Sequence, residues 1–110
     1  MRSAQAATSR SAAVFAALGD ETRLRMVARL GREGPLSIAR LTGGFAISRQ
    51  AITKHLRVMK TAGLVRGSRE GRESVWQLEQ KRLADALRHL QMISVQWDGT
   101  LGRLKQFVER

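Results

Sequence analysis

Residues 48–60 carry two sets of side chains with different chemistry, each at helical spacing. The polar set recurs at i, i+3, i+4 and i+7 and comprises Gln50, Thr53, Lys54 and Arg57. The apolar set recurs at i, i+4 and i+7 and comprises Ile52, Leu56 and Met59. On a helix these spacings define two separate faces. The apolar face can pack on a core, while the polar face presents hydrogen-bonding groups and positive charge outward.

The chain as a whole has a large excess of positive charge. Of its 110 residues, 20 are Lys or Arg and 9 are Asp or Glu, which gives a formal net charge of +11. This charge on so short a chain favours a polyanionic partner. Nucleic acid is the first candidate and an anionic membrane surface the second. A solvated surface without a specific partner is the remaining interpretation.

Other features of the composition narrow the class of protein. The chain has no cysteine, which excludes disulfides and thiolate chemistry and fits a reducing cytoplasm. No apolar run approaches the roughly 18 residues that a membrane span needs. We find no nucleophile beside a base, no carboxylate pair in a pocket-forming context and no phosphate-cradling glycine loop. We therefore expect a cytoplasmic protein that is neither an enzyme nor an integral membrane protein.

The first half of the chain shows helix signals separated by turn residues within a single domain, residues 1–110. We predict a loose tail over residues 1–10, then a helix that ends at Gly19. A second helix follows the N-cap Asp20 and runs to about Leu30. The buried positions expected on it are Leu24, Val27 and Ala28, with Leu30 beside them. A short third helix over residues 37–42, with Ile38 and Leu41 inward, and a turn lead to the helix of residues 48–62, which Ser48 caps and Gly63 ends.

The period changes after Gly63. Residues 64–78 fit two short strands joined by a tight turn at Glu70-Gly71. Residues 79–110 then predict a long helix with a heptad seam. The seam comprises Leu83, Leu87, Leu90, Ser94, Trp97, Leu101, Leu104 and Val108. Gly99 and Gly102 each cost about 1 kcal/mol relative to Ala. The register nevertheless continues across them, which favours one helix; a second helix capped by Asp98 is the alternative.

This order of elements predicts a mainly α fold with a small β-hairpin: a winged helix-turn-helix with a long C-terminal helix. The short third helix and the helix of residues 48–62 form the bihelical unit, and the hairpin is the wing. A major groove of double-stranded DNA, about 12 Å wide, admits one helix, and its base edges present both donors and acceptors. The polar face described above suits such a groove, and the apolar face would fasten the helix to its domain.

Three segments resemble the ArsR/SmtB family of bacterial winged-helix repressors. They read ALGDETRLRMVARL, ISRQAITKHLRVMKTAGLVRGSREGR and VWQL, and the resemblance covers roughly residues 13–78. The most specific part is KHLRVMKTAGLV. The closing WDGTLGRLKQFVE is similar to the tail of a metal-free branch of the family. The resemblance implies a homodimer that represses at a palindromic operator, commonly that of its own operon.

The resemblance also implies which residues touch DNA and which join two subunits. The helix of residues 48–62 would be the reading helix, the one that enters the major groove. The DNA contacts expected on and beside it are Ser48, Arg49, Gln50, Thr53, Lys54, Arg57 and Lys60. Those along the wing are Arg66, Arg69 and Arg72, although Glu70 and Glu73 could pair with them instead. The homodimer interface is expected on the first and last helices, at Val14, Phe15, Leu90, Trp97, Leu101, Leu104 and Val108.

The metal-sensing motifs of the family are missing. Where many members have Cys-x-Cys at the third helix, this chain reads LSIARL. The last helix has His89 and no second His, so we expect neither a metal nor another cofactor. Asp85 and His89, an i, i+4 pair, could form a weak site with the same pair of a second subunit, and this geometry stays open. His55, between the two faces of its helix, is interpreted as a packed surface residue.

Two rival functions come from other classes. An RNA-binding basic protein would account for the charge, but with 5% aromatic residues and no Tyr the chain has few side chains for stacking on bases, which disfavours this function. A protein-interaction module that docks a partner on the long helix would not need the basic strip of residues 49–60.

Overall fold

The structure is a computed structural model and describes residues 2–109. Its helices and strands, in chain order, are α1 (Arg2–Leu18), α2 (Glu21–Glu33), β1 (Leu36–Ser37), α3 (Ile38–Thr42), α4 (Arg49–Thr61), β2 (Val65–Glu70), β3 (Glu73–Leu78) and α5 (Gln80–Glu109). The strands form an antiparallel sheet in the order β1-β3-β2. The predicted winged helix-turn-helix with a long C-terminal helix is confirmed.

Side-chain caps set the starts of three helices. The Asp20 carboxylate accepts from the backbone N of Arg23 at 2.9 Å. The hydroxyls of Ser37 and Ser48 each accept in the same way from the residue three positions on. Such caps satisfy backbone N–H groups that have no partner in the first turn of a helix. The start of α4 at Arg49 is therefore the one predicted from Ser48.

The loose tail predicted for residues 1–10 is wrong from residue 2 onward, because α1 begins at Arg2. Met1 lies outside the described residues. Two physical causes favour the helix. The segment is rich in alanine, the best helix former, and α1 packs along α5. The Ser11 hydroxyl, on a residue only 4% exposed, lies 2.7 Å from Nδ1 of His89 and ties the two helices together.

The core lies between the helices and the sheet. Its buried apolar members are Val14, Ala17, Met26, Val27, Leu30, Leu36, Ile38, Leu41, Ile52, Leu56, Met59, Leu64, Val65 and Ala86. The predicted inward residues of α3 and α4 are confirmed. On α2 the prediction was partly wrong: Leu24 and Ala28 are exposed, and Met26 is buried in their place. The cause is the direction from which α1, α4 and β3 contact α2, which selects the stripe of Met26, Val27 and Leu30.

The hairpin differs from its prediction by one residue. Glu70 pairs with Glu73, so the two-residue loop is Gly71-Arg72 rather than Glu70-Gly71, with Gly71 at a φ of +65°. Glycine suits that left-handed conformation because it has no Cβ. The third strand, β1, was not predicted; it is only two residues long and pairs Leu36 with Trp76 of β3. It fastens the segment before α3 to the wing.

Helix α5 is continuous through Gly99 and Gly102 and does not restart at Asp98. Of the two alternatives that the sequence left open, this is the one that the heptad register favoured. Its 30 residues span about 45 Å at 1.5 Å per residue. The only buried residue among those described on α5 is Ala86. Within residues 2–109, no helix combines the length and the apolar character that crossing a membrane requires.

Candidate DNA-binding surface

Helix α4 separates its two faces as its sequence predicted. Ile52, Leu56 and Met59 are completely buried. On the opposite side Gln50 and Lys54 are exposed. The helix carries four basic residues and no acidic one, and the basic residues are Arg49, Lys54, Arg57 and Lys60, all exposed. The outward face therefore combines positive charge with an amide that both donates and accepts hydrogen bonds.

Two hydroxyl residues of this surface are already engaged with the backbone of α4. Ser48 Oγ accepts from the N of Ala51 at 3.1 Å, and Thr53 Oγ1 donates to the carbonyl of Arg49 at 2.9 Å. The Ser48 hydroxyl still has its proton to donate, and the Thr53 hydroxyl still has lone pairs to accept with. Both side chains are thus held in position, and Ser48 can still donate a hydrogen bond to a ligand while Thr53 can still accept one.

The structure brings the wing tip and the start of α4 to one place. Arg72, in the hairpin loop, and Arg49, in the first turn of α4, line the same shallow depression. Ser37 at the start of α3 and Ser74 of β3 also line it. Glu73 lines it as well, so residues far apart in the sequence form one surface with two arginines and one carboxylate between the bihelical unit and the wing.

The three wing arginines do not lie on one face of the hairpin. Arg66 is paired with Gln77 across the strands and Arg69 with Ser74. Because side chains alternate along a strand, residues three apart point to opposite faces. Arg69 therefore shares the face of Ser74, which lines the depression with Arg72. Arg66 lies on the other face, where its Nε is 3.1 Å from Oε1 of Glu79.

Arg66 therefore lies on the wing, as predicted, but on the other face from Arg69. Arg66 lines a separate depression with Leu30 and Pro35, beyond the C-terminal end of α2. The predicted competition from the acidic residues of the wing is not seen: within residues 2–109, neither Glu70 nor Glu73 is within ion-pair distance of an arginine. The positive charge of Arg69 and Arg72 is therefore available on the exposed side.

A contact that the sequence did not reveal fixes α4 against the preceding helices. Nη1 of Arg23 lies 3.2 Å from Nδ1 of His55, and Nε of the same arginine donates to the carbonyl of Ala17 at 2.6 Å. Asp20 completes the cluster, with Oδ2 3.9 Å from Nδ1 of His55. The N–H of Arg23 that caps α2 lowers the pKa of the Asp20 carboxyl below its ordinary value. Arg23 is thus a positioning residue for α4.

Asp85 and His89, the pair that could contribute to an intersubunit metal site, both have other contacts. Asp85 accepts a hydrogen bond from Arg88, and Nδ1 of His89 is engaged with Ser11. Among residues 2–109 there is no group of three or more acidic or histidine side chains placed to hold a metal ion. The i, i+4 spacing of Asp85 and His89 is present on α5, but both side chains already have partners within the subunit.

The residues expected at a dimer interface divide into two groups. Val14 is only 1% exposed and belongs to the core of its own subunit, so its assignment to the interface is corrected. Phe15 is half-buried against the same core. The members on α5 are open to solvent, with exposed fractions from 45% at Leu101 to 80% at Val108. The exposed members are Leu90, Trp97, Leu101, Leu104 and Val108.

Comparison with known proteins agrees with this geometry. Residues 18–68 match the family described as a helix-turn-helix domain. The HTH-type transcriptional regulator Rv2034 of Mycobacterium tuberculosis is 44% identical over 68 residues, which cover 62% of this chain and 63% of that protein. The match thus spans slightly less than two thirds of that relative's length.

Solved structures extend the likeness to nearly the whole chain. The ArsR-like transcriptional regulator from Rhodococcus sp. RHA1 is 38% identical with a TM-score of 0.77, covering 91% of this chain and 93% of that one. The homodimeric winged helix-turn-helix DNA-binding domain Mb0332 (fragment 1–100) from Mycobacterium bovis has the same fold, with a TM-score of 0.66 at 23% identity, over 88% of this chain and 86% of that one. By its sequence, fold and relatives, the chain belongs to the ArsR/SmtB family of winged helix-turn-helix transcriptional regulators.

Proposed function

We propose that the protein is a dimeric repressor that binds a palindromic operator in double-stranded DNA, and that the operator of its own operon is one such site. The observation that carries this proposal is the division of α4. Its apolar face is completely buried, and its outward face has four basic side chains and no acidic one. A helix fastened in this way suits insertion into a major groove, where its first turns reach the base edges.

The surface contains side chains for two kinds of contact. Gln50 can form a bidentate hydrogen-bond pair with an adenine edge. Arg49, Lys54 and Arg57 can donate to guanine or to phosphate, and we assign Lys60, Arg69 and Arg72 to backbone phosphates. Base contacts supply specificity, and phosphate contacts supply affinity that depends on salt. Ser48, which can still donate a hydrogen bond, and Thr53, which can still accept one, complete the face of α4 that would contact bases.

The dimer is supported by the exposed apolar side chains of α5. Along the seam of α5, Leu90, Trp97, Leu104 and Val108 are each at least half exposed, and Leu101 is 45% exposed. Contiguous apolar surface of this kind marks an interface in a protein dissolved in water. The Mycobacterium bovis structure with the same fold is described as homodimeric.

A homodimer joined along α5 would place two α4 helices for successive major grooves, about 34 Å apart on a palindrome. A gel-shift series on the DNA in front of the protein's own gene, against random DNA of the same length, tests the proposal. We expect tight, specific binding that falls by about 10³ to 10⁵ between 50 and 200 mM salt for six to ten phosphate contacts. Equal affinity for both DNAs would refute sequence-specific repression.

A further inference from the structure

Helices α1 and α5 enclose a cleft that none of the residues assigned to DNA contact line. It has a volume of about 300 Å³. Ala7 of α1 and Met92 of α5 contribute apolar walls, and the most buried lining residue is Ser11, which is 4% exposed. The Ser11 hydroxyl meets His89 there. The volume suits a small molecule, being at the lower end of the range for ligand sites, roughly 300–1,000 Å³.

The cleft is positively charged on both sides. Arg10 of α1 and Arg82 and Arg88 of α5 line it, together with one carboxylate, Asp85, which accepts a hydrogen bond from Arg88. Neither Arg10 nor Arg82 has an ion-pair partner within residues 2–109. Guanidinium groups present fixed pairs of donors that match carboxylate and phosphate oxygens. Two such groups approaching from different helices favour an anionic ligand.

The cleft lies away from the proposed dimer seam. Each residue of an α-helix advances by about 100°, so Met92 of the cleft is roughly 200° around α5 from Leu90 of the seam. A second subunit bound along Leu90, Trp97 and Leu101 would therefore leave the cleft accessible. Ligand binding and dimerisation do not compete for the same face of α5.

Arg82 connects the cleft to the reading helix. Its side chain lies against Gly63, the residue that follows the C-cap of α4: a Cβ at Gly63 would be 3.2 Å from Nε and 3.3 Å from Cγ of Arg82. The last carbonyl groups of a helix carry partial negative charge and attract cations. Arg82 can therefore interact with the C-terminal end of α4 when the cleft is empty and with an anion when it is filled.

We infer that the cleft between α1 and α5 binds a small organic oxyanion, a carboxylate or phosphate ester with a short apolar group, and that Arg82 transmits its binding to α4. The oxyanion accepts hydrogen bonds from Arg10 and Arg82, and the apolar group packs between Ala7 and Met92. Arg82 then leaves the end of α4. The ligand-binding part stands by itself, while the effect on operator affinity rests on the proposed function.

Nuclear magnetic resonance of the ¹⁵N-labelled full chain tests binding without DNA. The probes are benzoate, phenyl phosphate, inorganic phosphate and neutral benzyl alcohol, at constant ionic strength. We expect saturable shifts centred on the amides of Ser11, Arg82 and His89 with benzoate or phenyl phosphate, and the stronger of the two identifies the oxyanion. Saturation by none of the probes, or equal binding of benzyl alcohol, overturns the site. Equal affinity for inorganic and phenyl phosphate overturns the apolar part.

Variants distinguish the cleft from general attraction to a basic protein. Arg10→Ala changes an exposed side chain of α1 and should weaken binding at least tenfold. Arg103→Ala removes the same charge from α5 outside the cleft, where the arginine contacts Thr100, and should leave binding unchanged. Equal losses in the two variants would show that the cleft is not the site.

Operator affinity with and without the better probe tests the coupling. We expect a change of at least fivefold, within the range of working allosteric couplings, and its loss in Arg82→Ala. An operator affinity that the bound ligand leaves unchanged overturns the coupling but not the site. If the protein binds no operator, the proposed function is refuted, but the ligand binding measured by magnetic resonance still stands.

Discussion

Nη1 of Arg23 lies 3.2 Å from Nδ1 of His55 and joins the first turn of α2 to the middle of the reading helix. Since Nε of the same guanidinium donates to Ala17 at the end of α1, one side chain holds three helices in their relative positions. Nδ1 of His55 is the acceptor when Arg23 donates, which places the imidazole proton on Nε2. The orientation of α4 therefore depends on a residue outside the bihelical unit.

Replacing Arg23 by Met should lower the free energy of unfolding by about 1–3 kcal/mol, because hydrogen bonds from a charged donor are lost at partly buried acceptors. Arg32→Met, which removes the same charge from a side chain that is 72% exposed, is the matched control and should change stability by less than about 0.5 kcal/mol. Urea denaturation measures both. Equal effects would show that the Arg23 contacts do not stabilise the helix arrangement.

Gln50→Ala and Arg72→Ala should differ in kind. Gln50 is assigned to a base edge, so its loss should reduce discrimination between operator and mismatched DNA by about 1–3 kcal/mol. Arg72 is assigned to phosphate, so its loss should weaken binding to all duplexes and reduce the salt slope by about one. Titration of both variants on matched and mismatched sites decides this. An unchanged specificity ratio in Gln50→Ala would mean that another residue reads the bases.

The two faces of the wing give a matched pair of variants. Arg69→Ala should lower affinity for all DNA and the salt slope by about one, because Arg69 shares the face of Ser74 beside Arg72. Arg66→Ala removes the same charge from the opposite face, where the side chain pairs with Glu79, and should leave the slope unchanged. Binding isotherms over a salt series provide the comparison, and equal slopes for the two variants would contradict the assignment.

Leu104→Glu should weaken the dimer. Each buried leucine contributes about 1.5–3 kcal/mol, and a symmetric interface contains two copies, so the dissociation constant should rise at least about 100-fold. Gln106→Glu introduces the same carboxylate two residues on, roughly 200° around α5, and should have little effect. Sedimentation equilibrium measures both. A dimer of undiminished affinity in Leu104→Glu would place the interface elsewhere.

Zinc should not change operator affinity. Asp85 and His89 have the i, i+4 spacing of metal ligands on α5, but Asp85 contacts Arg88 and His89 contacts Ser11. A working switch needs a coupling of about 1–3 kcal/mol between metal and DNA. Operator titrations of the wild type and His89→Ala, with and without saturating zinc, test this. A tenfold loss of affinity on adding zinc, absent in His89→Ala, would make the protein a metal sensor.

The amino-acid sequence by itself determined the order of elements and the buried face of α4. Local signals carry these features: Ser48 caps α4 wherever the helix packs, and a repeat such as Ile52, Leu56 and Met59 defines a face on any helix. For α5 the heptad register favoured one helix through Gly99 and Gly102, but the sequence left a restart at Asp98 open, and the structure has the continuous helix. The family was also recognisable at this level, because its most specific segment is contiguous.

Only the tertiary structure decided which surfaces come together. On α2 the structure buries Met26 rather than the predicted Leu24, because the neighbouring helices and β3 select which side of the helix is covered. Arg66 separated from Arg69 because strand register sets the face of each side chain. Arg23 meets His55 across 32 residues of chain, and Arg10 lines the α1–α5 cleft together with Arg82 and Arg88. Such contacts depend on packing in three dimensions, which local periodicity does not encode.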